Sequence, residues 1–87
     1  SYPNPFNPSS VVRFVLPARS HIRLAVYTIL GQEVALLADG IVDAGSHEVR
    51  FDGSGKASGL YLARLTARPL DGHGTVSSAT TRMLLVR

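Results

Sequence analysis

The chain contains no cysteine. Neither a disulfide framework nor a thiolate metal site is open to it, so its stability must come from packing. Tryptophan is absent and methionine occurs once, at Met83. An aromatic platform for stacking sugar rings would therefore rest on tyrosine and phenylalanine alone. Charged residues make up 17% of the chain, a low fraction that suits strands half buried in a sandwich. No stretch reaches the roughly 18–20 apolar residues that a membrane-spanning helix needs. Lysine is nearly missing: Lys56 stands alone beside Arg13, Arg19, Arg23, Arg50, Arg64, Arg68, Arg82 and Arg87. These arginines are scattered along the sequence with no interleaved stacking aromatics, which argues against nucleic-acid binding despite a net charge of +3. The chain does not begin with methionine, and its start resembles no signal peptide. It reads as a domain of a longer protein, with any export signal upstream.

What is present begins with proline. Tyr2-Pro3-Asn4-Pro5-Phe6-Asn7-Pro8 alternates prolines with asparagines and aromatics. Each proline fixes its own φ, removes a backbone donor and pushes the preceding residue toward extended geometry. Residues 1–9 are thus expected to be a stiff, extended lead-in, and residues 10–87 a single domain.

From residue 10 onward, apolar and polar residues alternate with period two. Val12, Phe14 and Leu16 share one phase, then Ile22, Leu24 and Val26, with Arg23, Ala25 and Tyr27 on the opposite face. Gly31 suits the left-handed position of a hairpin turn. A rival helix over residues 32–38 is too short to be stable between Gly31 and Asp39-Gly40. Asp43-Ala44-Gly45-Ser46 reads as a turn, and His47, Val49 and Phe51 as the inward residues of another strand. Leu60 to Ala67 is apolar on both faces, which predicts a central strand. Pro69 to Gly74 is a polar connection, and a closing strand region runs from Val76 to Arg87. About seven strands in so short a chain predict an all-β, immunoglobulin-like antiparallel β-sandwich. The expected core is Phe14, Leu24, Val26, Val49, Phe51, Tyr61 and Leu65. Tyr61 opens its strand just after a loop, where its hydroxyl would bond back to nearby backbone; a plain core aromatic is the alternative.

The chain offers little for catalysis. His21, His47 and His73 have no second ligand at metal spacing. Asp39, Asp43, Asp52 and Asp71 fall in predicted turns, where aspartate caps backbone. Gly53-Ser54-Gly55-Lys56-Ala57 resembles a phosphate loop, but Ala57 replaces the needed Ser or Thr and no helix follows. No nucleophile–base pair is evident. A non-enzymatic domain without cofactor or metal is expected.

Several motifs occur together and in order. They are Tyr2 to Ser9, the strand at Val11 to Leu16, Val26-Tyr27-Thr28-Ile29-Leu30-Gly31-Gln32-Glu33-Val34, Ala44-Gly45-Ser46-His47-Glu48-Val49, Ala57-Ser58-Gly59-Leu60-Tyr61-Leu62-Ala63-Arg64-Leu65, and Arg82-Met83-Leu84-Leu85-Val86-Arg87. Together they resemble the C-terminal sorting domain of proteins exported by the type IX (Por) secretion system. They are also similar to the immunoglobulin-like module of flagellar hook-capping proteins. The resemblance implies a non-catalytic module at the end of a larger secreted protein, such as a glycoside hydrolase or peptidase of a Gram-negative bacterium. It implies recognition by outer-membrane secretion machinery, removal by a sortase-like peptidase, and a secreted or cell-surface destination. By position it carries over Gly45, Gly59, Tyr61, Arg82 and Arg87 as recognition residues. Thr28 stands where the family often has Asp, which weakens the expected turn.

A monomer is expected. The alternative is a carbohydrate-binding, spacer or adhesion module of an extracellular enzyme. Polysaccharide binding lacks its platform, since among the aromatics only Tyr27 is expected to be exposed.

Overall fold

A computed structural model describes residues 9–72 and 74–86. The elements are β1 (Ser9–Leu16), β2 (Ser20–Thr28), β3 (Glu33–Val42), β4 (Gly45–Asp52), β5 (Gly59–Pro69) and β6 (Ser77–Leu85). β1 and β4 form a two-stranded sheet, and the other four form a sheet in the order β3-β2-β5-β6. Every pairing is antiparallel. The described residues hold six strands and no helix. The all-β, two-sheet expectation holds, while the count of about seven strands is corrected to six.

The period-two pattern places the core. Ile22, Leu24 and Val26 of β2 point inward beside Ala67, Leu65 and Ala63 of β5. They meet Val12 and Leu16 from β1 and Phe51 from β4. Of the expected core, Leu24, Val26, Phe51 and Tyr61 are buried, and Phe14, Val49 and Leu65 are half-buried against them. Burying an aliphatic or aromatic side chain contributes about 1.5–3 kcal/mol, so these few residues supply much of what a small domain can gather. Ala25 faces the other way and is nevertheless buried, flanked across the two ladders by Leu36 and Arg64.

β3 continues through Asp39-Gly40, which composition marks as a break. Asp39 pairs with Arg23 and Gly40 with Ile22 across the β2 ladder. The ladder shifts register twice, between Leu24 and Ala25 and between Val26 and Tyr27. Such bulges bend and twist the strand that carries them.

The β2–β3 hairpin turns at Gly31, whose φ of +89° favours glycine. The Thr28 hydroxyl accepts the backbone N–H groups of Leu30 and Gln32, at 3.3 and 3.2 Å. Threonine here performs the capping expected of aspartate, and a hydroxyl does so more weakly than a carboxylate. β1 begins at Ser9, the last residue of the proline-rich segment. The remainder of that lead-in, with Tyr2 and Phe6, lies outside the described residues.

Candidate recognition surface

The β5–β6 ladder gathers most of the residues singled out by the sequence. Gly59 pairs with Leu85, Tyr61 with Met83, and Leu62 with Arg82. Gly59, Tyr61 and Arg82 thus lie on one short stretch of paired strand. Gly45 does not join them: it faces Leu16 at the end of the two-stranded sheet. Its φ of +120° is a conformation L side chains rarely adopt, and a Cβ there would meet nothing within 4 Å. The need for glycine is therefore conformational. Arg87 lies outside the described residues.

Tyr61 is held at both ends. Its ring packs against Phe51 with centroids 6.1 Å apart. Its hydroxyl donates to the carbonyl of Ala57 at 2.7 Å. The Tyr61 bond pins the loop between β4 and β5, as its position after that loop predicted. In the same loop the Asp52 carboxylate accepts the Ser54 N–H at 2.9 Å. Hydrogen bonding from the Ser54 backbone, then from its side chain, holds Asp52 below its ordinary pKa. Lys56 N–H donates to the Gly53 carbonyl at 3.0 Å, closing a turn, and a strand follows. The phosphate-loop likeness therefore carries no phosphate-loop geometry.

β6 is unlike the other strands. Met83 and Leu85 are buried, yet Ser77 to Arg82 are exposed on both faces. Ser77, Ala79 and Thr81 have the inward phase, opposite Ala67, Leu65 and Ala63, but the two-stranded sheet does not cover them. Leu84 is 72% exposed and lies opposite Leu60, which is 40% exposed.

The outer face of the large sheet collects charge that sequence distance hides. Register places His21, Arg23, Arg64, Arg68 and Arg82 on it together. Arg23 donates to both carboxylate oxygens of Glu33, at 2.9 and 3.0 Å, and to the Tyr27 hydroxyl at 3.3 Å. The Glu33 hydrogen bond, then the Tyr27 one, raises the Arg23 pKa above its ordinary value. His21 Nε2 lies 3.3 Å from Asp39 Oδ1. The acids thus stand along β3. Arg64, Arg68 and Arg82 form no ion pair among the described residues. The scattered arginines of the sequence are therefore partly gathered in space, a fact only strand register reveals. Two shallow clefts open on this face. One, of about 330 Å³, includes His21, Arg23, Thr66 and Arg68; the other, of about 250 Å³, includes Tyr27, Leu62, Arg64 and Thr80.

Among the described residues, no group of three or more His, Asp or Glu could hold a metal ion. No described helix is long and apolar enough to cross a membrane.

A family model described as a secretion system C-terminal sorting domain matches residues 1–71. The match stops at Asp71, before β6. No curated protein and no solved structure matches the chain.

Proposed function

The chain belongs to the family of secretion-system C-terminal sorting domains, and from that premise we propose that it carries a larger protein through type IX export to the cell surface or medium of a Gram-negative bacterium. Recognition by the type IX machinery follows from the family itself. The finer steps are our reading. The domain acts as a monomeric immunoglobulin-like module, related in architecture to the hook-capping module. A sortase-like peptidase removes it, and the released parent, for example a glycoside hydrolase or peptidase, is attached at the surface. Arg82 and Arg87 are the residues that the machinery reads, and Gly45, Gly59 and Tyr61 shape the fold that presents them.

The family match over residues 1–71 is the observation that carries this reading. The β5–β6 ladder supports it, because an exposed sheet edge lets a receptor bind through main-chain hydrogen bonds without a pocket. Carbohydrate binding is less well supported. Phe51 and Tyr61 are buried, and Tyr27 is half-buried beneath its bond to Arg23.

The test is a fusion. In a host with the type IX machinery, a periplasmic reporter joined to the N-terminus of this domain should appear at the surface or in the medium. The reporter alone should remain in the periplasm. Equal retention of both overturns the proposal.

A further inference from the structure

The two edges of the large sheet differ. β3, at one edge, shifts register twice against β2 and presents Glu33 and Asp39. Bulges and charges of this kind discourage strand addition. β6, at the other edge, pairs nine consecutive residues with β5, Ser77 to Leu85, without a shift. It contains no proline, and Arg82 is its one charged residue. Among the described residues no strand pairs with its outer side. Its uncovered inner face, at Ser77, Ala79 and Thr81, leaves room for side chains on both sides of an added strand.

The outer face beside that edge has a defined chemistry. Arg82 lies on β6 itself. Arg64, opposite Thr80, donates from Nε to the Ser78 hydroxyl at 3.3 Å, on the side of Thr80 away from Arg82. The two cations therefore flank Thr80, Arg64 from the Ser78 side and Arg82 from the other. Neither guanidinium has an acidic partner among the described residues. Two residues beyond Arg82 comes the exposed apolar pair Leu84 and Leu60. Along the edge, the outward pattern is therefore hydroxyl, cation, apolar.

We infer that β6 accepts a strand from a partner protein whose outward-facing residues are acidic beside Thr80 and Arg82 and apolar beside Leu84. Strand addition supplies affinity through the main chain, and alternate side chains supply selection. Carboxylates spaced two residues apart repeat every ~6.8 Å along a strand, which suits arginines presented from neighbouring strands. The inference deepens the sorting reading by naming the partner's chemistry, and it rests on that reading for its biological setting.

Two measurements test it. In the first, the 87-residue domain is titrated by NMR with the peptide Thr-Glu-Thr-Glu-Thr-Leu-Thr, with its reversed sequence, and with versions carrying Lys for Glu. One acidic peptide should shift and protect β6 amides, and Arg64→Glu/Arg82→Glu should weaken it about tenfold, as loss of two charged contacts implies. Equal binding of the Lys peptides overturns the inference. Binding of heparin instead of the peptide, lost in the same variant, overturns it in favour of an acidic polysaccharide. The second measurement is export of the reporter fusion. Arg64→Glu/Arg82→Glu should lower export about tenfold, whereas Arg50→Glu/Arg68→Glu, with the same change in net charge, should not. Thermal melts establish that both variants fold. Export of the first variant at the wild-type level overturns the inference. Failure of the unmodified fusion to be exported strikes the sorting reading instead, and the peptide titration then decides the inference alone.

Discussion

Replacing Tyr61 by Phe removes one hydroxyl and nothing else from a well-defined site. The ring stays against Phe51, with centroids 6.1 Å apart, so the packing contribution is retained. What is lost is the 2.7 Å bond to the Ala57 carbonyl. A typical intramolecular hydrogen bond contributes about 0.5–1.5 kcal/mol net, and more when the abandoned partner is buried. Ala57 is exposed, so water can take up its carbonyl, and the loss should be about 1 kcal/mol. For a domain of this size, that corresponds to a fall in Tm of roughly 4–8 °C. Urea unfolding of wild type and Tyr61→Phe, followed by circular dichroism, measures the difference directly. The slope should not change, because the same surface is exposed on unfolding. Hydrogen exchange should also quicken in the loop between β4 and β5, which the bond pins. An unchanged midpoint with unchanged loop exchange would refute the claim that this hydroxyl anchors the crossover between the sheets.

Leu85→Ala should cost about 2–5 kcal/mol, because Leu85 is only 4% exposed in the main core. A urea midpoint close to that of wild type counts against β6 as part of the core. Gly53→Ala would bring a Cβ within 2.5 Å of Leu85 Cδ1 and 2.7 Å of Cδ2, and overpacking of this kind costs about 1–3 kcal/mol. Combined with Leu85→Ala, the same change should cost less than it does alone, and a double-mutant cycle reads that coupling. Asp52, held below its ordinary pKa of 3.8 by Ser54, gives up its proton more readily in the folded state. Its contribution is therefore present above the ordinary value and is lost as pH falls through it toward the lower folded value. The Tm advantage of wild type over Asp52→Asn should shrink as pH falls below the ordinary carboxylate value. An advantage independent of pH would sink that assignment. Thr28→Asp should keep the hairpin turn, while Thr28→Ala, which strips the acceptor from Leu30 and Gln32, should lower Tm by a few degrees, about 0.5–1 kcal/mol.

Strand phase was legible in the sequence because it is local. Ile22, Leu24 and Val26 announce their burial by alternating with Arg23 and Tyr27, and no partner need be known to see it. The extent of β3 was not legible. Asp39-Gly40 has the composition of a turn, but Asp39 is accommodated in mid-strand because it points outward at His21. That compensation lies 18 residues away in the chain. The strand count was too high for related reasons, since apparent breaks in composition are absorbed by pairing. Thr28 fills the role expected of aspartate through its hydroxyl, which the residue type alone left open. The arginine surface was the least legible feature of all. Arg64 and Arg82 are separated by a connection and a turn in the sequence, and only the register of β5 against β6 makes them neighbours.

β6 combines two demands that ordinarily conflict. Its last residues must be buried, since Met83 and Leu85 close the core against Tyr61 and Phe51. Its first residues leave the sheet edge and both faces open. Strands with open edges risk indiscriminate pairing, and proteins usually guard them with bulges, proline or charge. Here the anchored end fixes register, because a one-residue slip would turn Met83 and Leu85 outward and Leu84 inward. The open end is thus presented in one register rather than several. The side chains along it are small, so main-chain pairing is unobstructed, and Arg64 and Arg82 add selection by charge. Loss of the buried anchor should therefore weaken folding and recognition together, whereas loss of the arginines should weaken recognition alone. The two kinds of variant separate what β6 does for the fold from what it offers a receptor.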